Sequence, residues 1–541
     1  MAAILPPGNS TPQEAANDSV IGARRSMERV DAWCEEWGDW CNPILVKETR
    51  QALKSRQFVI TFSLLLFAAL SWTIIGTFSL MPAIYDTPSA PTMMLGYYFV
   101  LALPMLLVVP LAAYRSLEGE IDDGTLELLS ITTLSPRQIV LGKLASAMLQ
   151  MLLYFVVLFP CVSYAYTLRG IDFPTTVMLL GMLFFMGIMM TIVALFFAPL
   201  SRSRTGRVVM LLVVIMLLVG AEWLLGMAAY GMITNEFIWW AGWENGLLIL
   251  GGLFGFVVPA VGNLLLTLTA AQLTPVIENR STKIRIALLV VNATVILWVT
   301  LGSSQSLEGT EVLLLGGTCL MLLWVLASAM LVSESAVLTP KVQRDLPQSF
   351  LARATFTWLA PGPVTGLVFS MLNVWLLAGL VVGGTIFHTV DGALRMSEHR
   401  ILLQFILAAA SYLTSGLLLV YGLMRLLRRK NNPRVEVGFA ALVVVALFAA
   451  LGPYGTELYF NDFLDFPYSG WQAANWIWTL YSIADGVDCY GVIKAMGIVN
   501  AFGLLAIMFL NPALVRPRRT ATPERVREEQ EKMKLEKRRR G

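Results

Sequence analysis

About twelve windows of roughly 20 residues that are nearly free of charge recur along this chain. An apolar stretch of that length forms a helix that can cross the hydrocarbon core of a bilayer. Only 14% of the residues are charged and 57% are hydrophobic, whereas about a quarter are charged in soluble domains. The chain is therefore predicted to be an all-α, polytopic bundle of about 12 membrane helices. The predicted spans are approximately residues 58–80, 94–114, 138–167, 175–200, 207–232, 246–273, 285–303, 311–332, 363–387, 401–424, 435–452 and 489–510.

The Lys and Arg residues fall on alternate sides of the predicted spans. Basic loops next to a span resist translocation and remain in the cytoplasm. Basic residues cluster before span one, in alternate loops and in the C-terminal tail, whereas residues 81–93 and 232–246 contain no Lys or Arg. We therefore expect a multi-pass protein of the cell (inner) membrane with both termini cytoplasmic. Arg395 and Arg400 are the exception, because their loop is predicted to face outward.

A second, short helix is predicted to lead into span one. Asn42 is a suitable N-cap and Pro43 a suitable first helical residue. Lys47, Glu48 and Arg50 follow in this segment. Its basic residues suit the anionic headgroups of a lipid bilayer. Composition alone fits equally well a charged flank that only sets the topology.

The polar segment between spans two and three predicts a short amphipathic helix on the membrane surface. Asp123 can cap a turn that begins at Gly124 and Thr125, and Glu127 in that turn suits the helix dipole. The apolar members of its face are Leu117, Ile121, Leu128 and Leu129. A helix held between two spans moves with them, so it can pass a push between the cytosol and the membrane.

An abrupt start is predicted for span three. Ser135 is an N-cap, Pro136 takes the first helical position, and Gln138 can reach back to complete a capping box.

Two segments resemble the permease subunit of type-2 ATP-binding-cassette (ABC) exporters: NPILVKETR before span one, and EIDDGTLELLSITTLSPRQIVLGK between spans two and three. In that family a six-helix domain has an N-terminal interfacial connecting helix, and a cytoplasmic coupling helix between helices 2 and 3 docks into a separate ATPase. The resemblance covers approximately residues 42–270. It implies ATPase coupling by Glu118, Asp123, Gly124, Thr125, Glu127, Leu128, Leu129, Pro136 and Lys143, and a connecting helix that includes Asn42, Pro43, Lys47, Glu48 and Arg50.

The resemblance also implies what the chain works with. No phosphate-binding loop of the form GxxxxGK[ST] occurs in the sequence. The chain is therefore expected to be no enzyme and to hold no cofactor, with ATP bound by a cytoplasmic ABC ATPase subunit. A homodimer, or a heterodimer with another permease, is expected, and no nucleic acid partner is. The expected function is that of an exporter permease.

Four segments describe the predicted domain organisation. The spans beyond the resemblance form an added membrane domain of about six helices. The segments are a partly disordered, then amphipathic N-terminal arm (residues 1–41), a type-2-like permease domain (42–274), a second membrane domain (275–515) and a basic cytoplasmic tail (516–541).

Glu222 lies inside span five, where an ionisable residue is costly unless it faces a cavity or a partner. It is a candidate for the transport pathway, although it can also reach toward the outer headgroups. His388 and His399 have no evident ligand partners, and the five cysteines show no CxxC spacing. No metal site is expected.

Three other functions remain open from the sequence. A secondary transporter of about 12 spans should show internal repeats and buried charges near the midplane, and neither is evident. A membrane glycosyltransferase should place several acidic residues in the first outer loop, where residues 81–93 offer only Asp86. A non-transporting membrane anchor for an ATPase would use the same coupling helix.

Overall fold

The computed structural model describes residues 43–124, 135–201, 203–233, 251–275, 278–305, 309–335, 339–344, 357–390, 396–429, 435–464 and 467–510. Every regular element within these ranges is a helix, and twelve helices are long and apolar enough to cross a membrane. The predicted all-α, polytopic bundle is confirmed, and the chain is a multi-pass membrane protein. Two compact units divide the chain, Met1–Phe237 and Ile238–Gly541.

The first unit contains five spans and one shorter helix among its described residues. In chain order these are α1 (Pro43–Leu53), α2 (Arg56–Leu80), α3 (Ala90–Asp122), α4 (Pro136–Thr167), α5 (Phe173–Phe197) and α6 (Arg204–Ile233). Helix α3 is the most buried span of this unit, and α2 and α6 are the least buried. Helix α4 packs against α1, α2, α3 and α5.

The middle of α3 is wound as a π-helix over Leu103–Val108. Pro104 and Pro110 lack the backbone N–H that an α-helix uses, and the N–H of Val109 bonds instead to the carbonyl oxygen of Pro104, five residues earlier. Met105 is fully buried in this turn. The wider turn therefore keeps α3 continuous through two prolines.

The second unit contains seven spans and two shorter helices among its described residues. In chain order these are α7 (Leu253–Leu273), α8 (Ser281–Gln305), α9 (Gly309–Val332), α10 (Pro340–Arg344), α11 (Pro363–Val390), α12 (Met396–Leu427), α13 (Glu436–Phe460), α14 (Trp476–Ala484) and α15 (Tyr490–Leu510). Helix α7 packs against α8. The predicted domain boundary between residues 274 and 275 stays a prediction.

Buried polar side chains join spans of the second unit. Asn292 Nδ2 donates to Asn373 Oδ1 at 3.2 Å, and Trp324 Nε1 donates to Asn292 Oδ1 at 3.4 Å. These bonds link α8, α9 and α11 inside an otherwise apolar core. An amide in lipid has no water to bond, so partners on neighbouring helices satisfy it.

Arg400, the exception to the predicted charge distribution, has an acidic neighbour. Its Nη2 lies 3.5 Å from Asp488 Oδ2 just before α15. Gln404 Nε2 donates to the other oxygen of Asp488 at 3.3 Å. Arg400 therefore lies in the first part of α12 rather than in a loop, and it forms an exposed ion pair there.

Candidate coupling junction

Helix α1 begins at Pro43, as predicted for the connecting helix. Asn42, its expected N-cap, lies outside the described residues. Ile44 is buried, whereas Lys47 and Arg50 are exposed. Helix α1 packs against the first part of α4 and is therefore attached to the membrane helices along one face.

The second span extends well beyond its predicted end at residue 114. Helix α3 continues to Asp122 because Leu117 is fully buried and holds the helix against its neighbours. Glu118 thus lies in the last turns of a membrane helix rather than in a separate surface helix.

The N-cap expected at Asp123 is wrong, because this residue ends a helix. Asp123 is the C-cap of α3, and Gly124 follows with a φ of +66°. A glycine in this left-handed conformation is a common helix stop, because it has no Cβ to clash. Thr125, Glu127, Leu128 and Leu129, which were predicted to take part in coupling, lie outside the described residues.

The predicted start of the third span is confirmed. Gln138 N donates to Ser135 Oγ at 3.4 Å, Ser135 N donates to Gln138 Oε1 at 2.8 Å, and Pro136 is the first helical residue. This capping box satisfies backbone groups that the first turn leaves without partners.

Lys143 lies at the centre of a buried cluster that joins three helices. Its Nζ lies 3.1 Å from Glu48 Oε1 on α1, 3.2 Å from Glu120 Oε1 on α3, and 2.7 Å from Ser116 Oγ. Ser116 Oγ in turn donates to Glu48 Oε2 at 3.2 Å. The side chain of Lys143 is only 2% exposed. We refer to Lys47, Glu48, Ser116, Glu120 and Lys143 as the Lys143 cluster.

Charge balance explains how a lysine can be buried at this point. Lys47 lies 3.7 Å from Glu120 Oε1, so the cluster contains two cations and two carboxylates. A buried ammonium without such partners would carry a large desolvation cost. The cluster therefore fixes α1 to the end of α3 and to the start of α4.

A second ion pair holds the same end of α3. Asp122 Oδ2 pairs with Nη1 of Arg207 in the first turn of α6. Helix α3 is thus anchored by charges on α1, α4 and α6 just before the undescribed segment 125–134 begins. Pro136 starts the helix on the other side of that segment.

Glu222 lies on α6, away from this junction. Its side chain is half-buried. A role of Glu222 in transport stays a prediction.

A buried arginine in the second unit is a site that no local sequence pattern indicates. Arg285 is fully buried, and its Nη2 pairs with Glu334 Oε2 at 2.6 Å. Its Nη1 donates to the carbonyl oxygens of Trp358 at 2.6 Å and Ala360 at 2.7 Å. Arg428 Nη2 donates to the carbonyl oxygen of Glu334 at 2.6 Å. The bonds tie together the ends of α8, α9 and α12 and the segment before α11.

Among the residues that the structure describes, no group of three or more His, Cys, Asp or Glu side chains could hold a metal ion.

Comparison with known proteins gives one family. Residues 42–251 match the family model described as "ABC-2 family transporter protein". The matched segment is less than half of the chain. No curated protein and no solved structure matches the chain. The matched segment includes α1 to α6 and every member of the Lys143 cluster.

Proposed function

We propose, from the match of residues 42–251 to the ABC-2 family model, that the chain is the permease subunit of an ABC exporter. A separate cytoplasmic ATPase binds ATP and drives it, so this chain holds no cofactor and hydrolyses nothing. The permease works as a homodimer or with a sister permease in the cell (inner) membrane, with both termini in the cytoplasm.

The Lys143 cluster is the observation that carries the proposal. Segment 125–134 is the proposed coupling helix, and helices on both sides of it are fixed. Its N-terminal side follows α3, which Lys143 and Arg207 hold through Glu120 and Asp122. Its C-terminal side leads into the capping box of α4. A push on this segment therefore reaches α1, α3 and α4 together.

The transport cycle is an exchange between two states of the permease. ATP-driven closure of the ATPase pushes the coupling helix, and the attached spans tilt to open the path outward. ATP can drive this change only if the ATPase binds the two states with different affinities. Reversing a 1:99 population requires a difference of about 5.5 kcal/mol. The contacts between α1, α3 and α4 must therefore remain formed in both states while the ATPase supplies a free-energy difference of this size.

Substitution of a coupling residue tests the proposal. Glu127→Arg should separate ATP hydrolysis from ATP-driven changes in the permease, because it places a cation in the docking surface. The assay is ATP hydrolysis by the purified complex in nanodiscs, measured together with an ATP-dependent distance change between spin labels on α3 and α6. Asp86→Arg, in a loop predicted to face outward, is the matched control.

Each outcome has a defined meaning. Loss of the ATP-dependent distance change in Glu127→Arg, with Asp86→Arg unaffected, supports coupling at this segment. Unchanged hydrolysis and distance change in Glu127→Arg contradict it. An ATPase that binds the chain without any ATP-dependent movement of α3 relative to α6 would favour the non-transporting anchor. Transport in vesicles that needs an ion gradient but no ATP would favour the secondary transporter.

A further inference from the structure

The exposed face of α1 carries a row of polar side chains, and most of them are basic. Lys47, Arg50, Gln51 and Lys54 follow the i, i+3, i+4, i+7 spacing that places side chains on one helical face. Together with Val46 they line an open groove. All are exposed to solvent. Among the residues that the structure describes, no acidic side chain lines this groove.

We propose that this groove binds the headgroup of an anionic phospholipid. Phosphate is the complementary ligand, because three cations converge on the groove and each basic residue near an anionic leaflet strengthens attraction to it. Of these cations, only Lys47 has an ion-pair partner among the described residues, Glu120 at 3.7 Å. Arg50 and Lys54 are thus available to a phosphate.

The position of the groove selects a lipid rather than a soluble anion. Lys54 lies two residues before α2, the first span. At 1.5 Å per helical residue, the whole row lies within about 15 Å of the start of that span. Val46 is 38% exposed on the groove, which gives an apolar contact for the upper acyl chains.

Headgroup binding is compatible with the Lys143 cluster. The Lys47–Glu120 pair is long, and Lys47 is 62% exposed, so a phosphate can compete for Lys47 at little cost. Lys143 keeps Glu120 at 3.2 Å and Glu48 at 3.1 Å. A bound lipid therefore holds α1 on the leaflet, while the face of α1 that carries Glu48 stays attached to α4. The lipid proposal rests on the proposed function in one respect only, namely the assignment of α1 to the cytoplasmic leaflet.

Native mass spectrometry of the full chain in detergent tests the proposal, with phosphatidylglycerol and phosphatidylcholine as probes. The variant is K47Q/R50Q/K54Q. The control, K532Q/K534Q/K537Q, removes the same charge from the C-terminal tail. We expect wild type and control to prefer phosphatidylglycerol. The groove variant should bind phosphatidylglycerol at least about tenfold more weakly than wild type does. Equal binding of the two lipids by wild type, or unchanged phosphatidylglycerol binding by the groove variant, would overturn the proposal.

Two further measurements distinguish a lipid from the other candidate ligands of this groove. Glycerol phosphate has no acyl chains, and if it displaces phosphatidylglycerol at matched concentration the site is for a free phosphate and the lipid assignment is wrong. If the groove variant keeps its lipid preference but loses a bound ATPase, the row is a protein-docking face. The K47R/R50K/K54R variant should restore lipid binding if charge is the cause. Lipid binding is measured without ATPase, so it can fail while the proposed function holds.

Discussion

Lys143 Nζ lies 3.1 Å from Glu48 Oε1, although 95 residues separate the two in sequence. This ion pair joins the third span to the helix that precedes the first span. Since Lys143 also contacts Ser116 and Glu120 near the end of the second span, three helices of the segment that matches the ABC-2 family model meet at one buried ammonium. The mechanical proposal depends on this contact.

Lys143→Met should destabilise the protein, because it leaves Glu48 and Glu120 without their buried cation. We expect a loss of about 3 kcal/mol or more in the free energy of unfolding. Glu48→Gln should cost less, because Lys143 then keeps Glu120 and Ser116. Unfolding in mixed detergent, followed by tryptophan fluorescence, measures both. Equal effects of the two variants would show that Lys143 does not hold the cluster.

Arg285→Gln should be among the most destabilising changes in the second unit. It leaves Glu334 unpaired and removes bonds to the carbonyl oxygens of Trp358 and Ala360. We expect a loss of about 3–5 kcal/mol. Lys341→Gln is the control, since it breaks the exposed pair with Glu278 and should cost less than about 1 kcal/mol. Comparable losses of thermal stability in the two variants would be inconsistent with a buried Arg285.

Gly438→Ala should loosen the packing of α13 on α9. A Cβ at Gly438 would clash with Ser333 Oγ and lie 2.6 Å from the carbonyl oxygen of Ala329. Overpacking of this kind costs about 1–3 kcal/mol. Gly452 lies in the same helix with nothing within 4 Å of its Cβ position, so Gly452→Ala should be neutral or stabilising by up to about 1 kcal/mol. The thermal unfolding temperature should therefore fall in Gly438→Ala and stay unchanged or rise in Gly452→Ala.

Cys489 should react slowly with a membrane-impermeant maleimide. Burial raises the pKa of the Cys489 thiol; a hydrogen bond with Tyr468 opposes this increase, and the nearby carboxylate of Asp488 adds to it. Because the thiolate is the reactive form, labelling at pH 8 should be slower than at an exposed thiol and should increase only at higher pH. Asp485→Cys, exposed in the same loop, is the reference in a background without other cysteines. A reaction at Cys489 as fast as at position 485 would contradict its burial.

Local sequence signals located the ends of many helices correctly. Ser135, Pro136 and Gln138 define the start of α4 through a capping box within four residues, so the sequence alone was sufficient. The end of α3 differs from the predicted end at residue 114, because charged residues such as Glu118 and Glu120 are typical of a surface segment. The burial of Leu117 and the cation at Lys143 keep that segment helical instead.

Long-range charge pairs could not be predicted in the same way. Arg285 contacts groups 49 to 80 positions away, and no spacing rule links such residues in a single sequence. Similarly, the family resemblance places Lys143 among the coupling residues, but its pairing with Glu48 depends on how α1 packs against α4. Periodicity predicts which helices exist, whereas tertiary packing decides which charges meet.

Site-specific photo-crosslinking most directly tests the claim that segment 125–134 contacts an ATPase. A photoreactive amino acid replaces Glu127 in one variant and Asp86 in the other, and both full-length proteins are irradiated in native membranes. The account predicts that position 127 crosslinks to a protein with a GxxxxGK[ST] loop and that ATP changes the yield, while position 86 does not crosslink to it. The absence of any such ATPase at position 127, or its equal capture at position 86, would contradict the account.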